Sequence, residues 1–266
     1  MVISDLFKLW DKNELTIALN HFYGYKREEL LLNPNRELKP DELEKMLDLI
    51  EKRKKHIPLQ YILGKWWFYD IEVEVEEGVL IPRPETEILV EKAIALTKPG
   101  MKILEIGTGT GIIAISLAKH TVAEIIAVDI SERCIDLSNR NVSLNNISGI
   151  DFRKSDLYEA VEGLKFDMIV SNPPYISENE RDKLEKELSY EPENALFSGD
   201  DGLDIIREII YKAVYYLNKK GIIIIEIGFD QGEAVRDLLK NSNFTGIELI
   251  KDYNGLDRVV VGRLAG

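Results

Sequence analysis

The sequence predicts an α/β protein: a mostly parallel, doubly wound sheet of seven strands, preceded by a small helical domain and a linking β-hairpin. Three observations predict it. From Met101 onward, short apolar runs alternate with helical segments, the pattern of a parallel sheet covered on both faces. A glycine-rich turn joins the first of these runs to the helix after it, and such folds collect ligands beyond the strand ends. Residues 1–56, by contrast, read as helical.

In Asp41 to His56, Leu43, Met46, Leu47 and Ile50 recur at helical spacing with charges on the other side. Pro40 suits the start of that helix, just before Asp41 and Glu42. Pro34 and Asn35 punctuate the loop before it, and the helices should end near Pro58. Ile71-Glu72-Val73-Glu74-Val75 alternates apolar and acidic residues, a strand with one wet face, and with Trp66 onward it makes the hairpin. Ile81-Pro82-Arg83-Pro84-Glu85-Thr86-Glu87 carries two prolines and reads as a stiff extended loop ahead of a helix from Ile88 to Leu96. Strands are expected at Lys102–Ile106, Glu124–Asp129, just before Ser155, at Phe166–Ser171 and at Gly221–Ile227, with helices at Ile112–Lys119 and Arg133–Asn145. Phe244–Leu249 and Arg258–Gly262 supply two final strands, one of them antiparallel. The limits are 1–64 for the helical domain, 65–80 for the hairpin linker and 81–266 for the sheet domain.

Of 266 residues, 45% are hydrophobic and 30% charged, the composition of a folded globular chain. No apolar run, Ile222–Ile225 included, approaches the length of a membrane span. The N-terminus lacks the basic and apolar segments of a signal peptide. A lone cysteine, Cys134, precludes an internal disulfide and suits a reducing cytoplasm. The formal charge is −13. Residues 1–75 carry 12 Lys and Arg against 14 Asp and Glu, a net −2; the remaining 191 carry 22 against 33, a net −11. Stable duplex binding rests on many basic contacts to phosphate, so the acidic main domain argues against a nucleic-acid partner. The run Lys52-Arg53-Lys54-Lys55 reads either as a docking surface or as a solvated helix end.

Glu105-Ile106-Gly107-Thr108-Gly109-Thr110-Gly111 takes a strand into a glycine turn and then a helix. Glycines let the backbone pass close to a ligand. Asp129, ending the next strand, stands where doubly wound sheets place an acceptor for ribose hydroxyls. A dinucleotide prefers the Gly-x-Gly-x-x-Gly spacing; here it is Gly-x-Gly-x-Gly behind an acid. That suits S-adenosylmethionine, which carries no phosphate but has a sulfonium, an ammonium and a carboxylate. In Ser155-Asp156-Leu157-Tyr158 the acid either reaches an adenine amino group, with Leu157 over the ring, or caps a helix.

Asp167-Met168-Ile169-Val170-Ser171 runs straight into Asn172-Pro173-Pro174-Tyr175. The prolines fix the backbone and remove two N–H donors, leaving carbonyls to face a ligand. The Asn172 carbonyl and a proline carbonyl together can hold both hydrogens of a planar NH2 group, and Tyr175 offers a flat face for it. An amide or aromatic NH2 is a poor nucleophile. Acceptors in line with its N–H bonds steer the lone pair and stabilise the charge that develops on nitrogen. In-line positioning then carries most of the catalysis, with no Ser, Cys or His nucleophile. His21, His56 and His120 lie outside every motif, give no metal-ligand spacing, and Cys134 reads as a packing residue.

With those residues in place, the chain resembles the HemK/PrmC family, the peptide chain release factor glutamine methyltransferases. The resemblance covers the helical N-terminal part, the Ile81–Glu87 loop, the Glu105–Gly111 turn, Asp129, Ser155-Asp156 and Asn172–Tyr175. It continues through Glu191-Pro192, Ala195-Leu196 and the closing Asp257-Arg258-Val259-Val260. It implies a Rossmann-like methyltransferase domain that methylates the N5 amide of the glutamine in the Gly-Gly-Gln loop of class I release factors. S-adenosyl-L-homocysteine is then the product. By the same resemblance Gly107–Gly111, Asp129 and Asn172 contact the cofactor, and Asn172–Tyr175 hold the glutamine. Arg83, Glu85 and Thr86 line or brace the pocket, or serve only as a linker. Leu157 stands where some members place a tryptophan. The N-terminal domain would grip the release factor, and a monomer without stable nucleic-acid or membrane association is expected. Asn-Pro-Pro-Tyr alone does not separate a glutamine amide from an adenine N6 amino group. A nucleic-acid adenine methyltransferase, a ribosomal-protein glutamine methyltransferase and a non-catalytic binder therefore stay open.

Overall fold

The computed structural model describes residues 1–266, in two compact units, Met1–Lys65 and Trp66–Gly266. The first unit holds five helices: α1 (Ile3–Leu6), α2 (Lys12–Tyr23), α3 (Arg27–Leu32), α4 (Pro40–Lys54) and α5 (Leu59–Leu63). The Asp11 carboxylate caps α2 by accepting from the Asn13 and Glu14 amides. In α4 the buried stripe is Glu42, Met46, Leu49, Ile50 and Arg53. Leu47, expected on that face by spacing, is exposed instead, because the stripe is turned toward Leu49. Arg53 lies inside the unit: Nε and Nη2 donate to the Glu14 carboxylate at 2.8 and 2.7 Å, and Nη1 donates to the Ile57 carbonyl at 2.6 Å. The basic run is therefore not a uniform surface, since its second member ties α4 to α2. Nor do the helices stop near Pro58; that proline stands at the N-cap of α5, which ends at Leu63 with Gly64 as its C-cap.

A two-stranded hairpin begins at the last residue of the first unit, β1 (Lys65–Phe68) and β2 (Ile71–Glu74), and its Ile71 and Val73 are buried while Glu72 and Glu74 are not. Then follow α6 (Thr86–Leu96), β3 (Lys102–Ile106), α7 (Ile112–His120), β4 (Glu124–Asp129), α8 (Glu132–Leu144), β5 (Ile150–Lys154) and β6 (Phe166–Ser171). After a segment of short 3-10 turns come α9 (Asp204–Tyr216), β7 (Leu217–Glu226), α10 (Gly232–Asn241), β8 (Phe244–Lys251) and β9 (Asp257–Leu264). The seven strands lie in the order β5-β4-β3-β6-β7-β9-β8. β3 to β7 are parallel, and β9 runs antiparallel to both neighbours. β7 starts four residues before the expected Gly221, because Leu217 pairs with Phe166 ahead of an irregularity in the register.

The period of two along a strand explains the unbroken isoleucine run in β7. Ile222 and Ile224 enter the core on one sheet face with Ile103 and Met168. Ile223 and Ile225 enter the core on the other with Leu104 and Ile169. The chain winds outward from β3 through β4 to β5, then returns to place β6 on the other side of β3. Ile106 pairs with Ser171 across that switch, and the Ser171 hydroxyl donates to the Ile106 carbonyl at 2.7 Å. Gly107 and Asn172 thus leave the sheet side by side, at the crevice where such sheets bind ligands.

Candidate active site

The glycine turn is held from below. Glu105 is wholly buried at the end of β3; its Oε2 accepts from the Thr108 hydroxyl at 2.9 Å and the Ala114 amide at 3.1 Å. Burial pushes its carboxyl up to about 8, against the pull of those two donors. Gly111 caps α7 at φ +84°, and a Cβ there would meet Ser138 at 3.1 Å, so this turn needs glycine. Asp129 ends β4, and its two oxygens accept from the Ser131 and Gly109 amides, each at 2.9 Å. Burial raises its pKa while those amides lower it. Each oxygen keeps a lone pair for a further donor.

A cleft of about 250 Å³ opens above these strand ends, bounded by Gly107 and Gly109, by Asp129 and Ile130, and by Asp156 and Leu157. Asn172, Pro173 and Pro174 line it as well. Ser155 shapes the β5 side: its hydroxyl donates to the Leu157 carbonyl and accepts from the Ala160 amide. Ser155 therefore takes the turn-capping role, while Asp156 faces the cleft. Leu157 is held at φ +45°, a conformation a branched side chain adopts only under constraint. An acid at the ribose position and an apolar slot between Ile130 and Leu157 fit S-adenosylmethionine.

A smaller cavity of about 30 Å³ adjoins, lined by Arg83, Thr86, Thr108, Thr110 and Asn172 among others. Asn172 lines both. Its Nδ2 donates to Thr86 Oγ1 at 3.0 Å. Glu105, Gly111, Glu85 and Tyr175, all expected at the site, line neither cavity. Glu105 and Gly111 build the turn instead, and Glu85 stands at the N-cap of α6 without a capping bond. The Tyr175 hydroxyl points to Glu226 Oε1 at 3.4 Å, and burial pushes its pKa well up.

Several residues of the site have no role assigned from the sequence, Glu191-Pro192 and Ala195 standing there only as part of the family resemblance. Glu191 is buried, accepting from Arg83 Nη2 at 2.6 Å and from the Ile81 amide at 3.1 Å. It locks the proline loop against the segment after β6, whose Pro192, Asn194 and Ala195 form a cleft wall. Gln231 accepts from the Gly228 amide and donates to the Tyr175 carbonyl at 2.9 Å. Gly202 lies so close that a Cβ would fall 2.2 Å from that same carbonyl. Glu226 is wholly buried at the end of β7, with one carboxylate oxygen unpartnered. A strand closing on an acid, Ile225-Glu226, repeats the Ile103-Leu104-Glu105 pattern and is a signal for it.

A doubly wound sheet with a glycine turn, a strand-end acid and Asn-Pro-Pro-Tyr at one switch point defines an S-adenosylmethionine-dependent methyltransferase. Residues 84–202 match the model of the methyltransferase small domain, and residues 10–64 that of the PrmC N-terminal domain. A release factor glutamine methyltransferase of Thermodesulfovibrio yellowstonii is 40% identical, over 87% of this chain and 85% of that protein. One of Haemophilus influenzae is 37% identical, over 94% and 91%. The chain belongs to the release factor glutamine methyltransferase family. Among solved structures, a ribosomal protein L11 methylase of Lactobacillus delbrueckii shares the fold, at TM-score 0.54 and 24% identity over 72% of this chain and 85% of that one.

Proposed function

We propose that the chain transfers a methyl group from S-adenosylmethionine to the side-chain amide N5 of the glutamine in the Gly-Gly-Gln motif of class I peptide chain release factors. The observation that carries the proposal is the place of Asn172, at the junction of the two cavities with its NH2 end turned to Thr86. Its carbonyl end is then left for a planar NH2 group, together with a carbonyl of the Pro173-Pro174 pair. When bound, S-adenosylmethionine supplies a methyl on a positively charged sulfur that is itself the leaving group. Gly107, Gly109 and Asp129 hold the cofactor's polar parts, and Asp156, Leu157 and Ile130 enclose its base. Asn172 and the prolines orient the nucleophile and accept its hydrogens as charge develops on nitrogen.

The helical unit recognises the release factor, and the enzyme acts as a cytoplasmic monomer without stable nucleic-acid binding. Support for the last point is the excess of 33 acidic over 22 basic residues after residue 75. No helix is long and apolar enough to cross a membrane. Peptide mass spectrometry of a release factor incubated with the protein and methyl-labelled cofactor tests the proposal. One added labelled methyl on the Gly-Gly-Gln peptide is expected. Label in a ribosomal protein or in nucleic acid, with none in the release factor, overturns it.

A further inference from the structure

Two polar residues interrupt the buried stripe of α8. Cys134, Ile135 and Leu137 are joined there by Ser138 and Asn141, both wholly buried. A buried amide is costly unless its polar atoms find partners, and Asn141 finds three. Its Oδ1 accepts from the Glu74 backbone N–H at 2.7 Å. Its Nδ2 donates to the Glu74 carbonyl at 3.1 Å and to the Thr110 carbonyl at 2.9 Å. A backbone N–H only donates and a carbonyl only accepts, so these partners fix which end of the amide faces which. One side chain thus joins the edge of β2 that no strand covers to the glycine turn.

Ser138 holds the same turn, its hydroxyl donating to the Gly109 carbonyl at 3.0 Å. A trans peptide points its N–H opposite to its C=O. With the Gly109 carbonyl drawn to α8, the Thr110 N–H points away from α8, and no hydrogen bond within the chain claims it. On the next peptide, whose carbonyl Asn141 holds, the Gly111 N–H closes the turn on the Thr108 carbonyl at 2.8 Å. Two side chains of α8 therefore set the tilt of two successive peptides of the turn.

We propose that Asn141 and Ser138 are positioning residues for the cofactor, holding the glycine turn in its binding geometry from behind while Asn141 registers it against β2. The proposal rests on the assignment of the larger cleft to S-adenosylmethionine. Without Asn141 the buried Thr110 loses the partner of its carbonyl, the 110–111 peptide tilts, and the Thr110 N–H loses its aim. Asn145 supplies an internal contrast. It stands at the C-cap of α8, and its Nδ2 donates to the Glu72 carbonyl at 2.7 Å and to the Asn141 carbonyl at 2.8 Å. It braces the same edge of β2 without a bond to the glycine turn.

Three variants of the full chain test this: Asn141→Ala, Ser138→Ala and Asn145→Ala. Each is titrated with S-adenosylhomocysteine by calorimetry, assayed for KM and kcat, and unfolded chemically. Asn141→Ala should weaken S-adenosylhomocysteine binding and raise the KM for S-adenosylmethionine by roughly tenfold, with the KM for release factor and kcat at saturating cofactor within about twofold of wild type. Ser138→Ala, losing one bond to the turn, should weaken S-adenosylhomocysteine binding by about threefold or more. Asn145→Ala should unfold at lower denaturant yet bind S-adenosylhomocysteine as wild type does. Wild-type affinity in Asn141→Ala or in Ser138→Ala overturns the inference. So does Asn145→Ala weakening the binding as much as Asn141→Ala, since α8 then acts through stability alone. Should Asn141→Ala fail to fold, Ser138→Ala against Asn145→Ala decides. Wild-type protein that binds no S-adenosylhomocysteine refutes the parent assignment of the cleft instead, so the two failures are distinct.

Discussion

Glu105→Gln should flatten the pH dependence of stability of the cofactor-free protein. Glu105 is buried at the end of β3, and burial lifts its carboxyl from 4.5 to about 8 despite the Thr108 and Ala114 donors. The folded chain thus binds this proton more tightly than the unfolded chain. The stabilisation is complete below the ordinary carboxylate range and is lost as pH rises through about 8. Integrating that difference from about pH 6 to about pH 9 gives a loss of about 2–3 kcal/mol from Glu105. Glu226, lifted by burial to about 7, loses about 1–2 kcal/mol over the same interval. For a domain of this size the Glu105 share corresponds to roughly 5–10 °C in Tm. Thermal unfolding followed by circular dichroism across that interval is the assay. Wild type should lose Tm steadily, and Glu105→Gln should lose less by about that share. Parallel curves would mean that Glu105 is already charged in the folded state, and the burial argument fails.

Asn172→Ala should nearly abolish methyl transfer while cofactor affinity, read by calorimetry, stays within about 1–2 kcal/mol of wild type; normal turnover removes Asn172 from the mechanism. Arg83→Ala strands the buried Glu191 carboxylate, whose side chain is 2% exposed. It should cost about 3–5 kcal/mol in chemical unfolding, and the double variant with Glu191→Gln should recover part of that loss. Leu157→Gly relieves the positive φ of that residue. It should raise cofactor-free stability by about 1 kcal/mol yet weaken cofactor binding, because the apolar cover is lost; a stability gain without weaker binding would make Leu157 a bystander.

The parts of the site legible in the sequence are those where backbone chemistry is local. Glycines at 107, 109 and 111, an acid closing β4 and two prolines closing β6 each act within a few residues of a strand end. Their meeting follows from one topological fact, the return of the chain beside β3. The braces were not legible for the opposite reason. Glu191 reaches Ile81 and Arg83 across more than a hundred residues, and Gln231 reaches Tyr175 across 56. No spacing rule encodes such pairs. Residues 178–195 form only short 3-10 turns, which leave no helical period, so Pro192 and Ala195 stand out by family resemblance alone and their place in the cleft wall has no signal in the spacing. In α4 the apolar periodicity gave the helix, but its face turned on Arg53, whose burial depends on Glu14 in another helix.

The central claim is that a carbonyl-lined notch grips a flat NH2 group beside the cofactor cleft. A crystal structure of the protein with S-adenosylhomocysteine and a Gly-Gly-Gln peptide tests it most directly. The glutamine amide nitrogen should lie within hydrogen-bonding distance, about 2.7–3.2 Å, of both Asn172 Oδ1 and a proline carbonyl of the 173–174 pair. A glutamine bound elsewhere, or one met by the Asn172 amide nitrogen, would contradict the account.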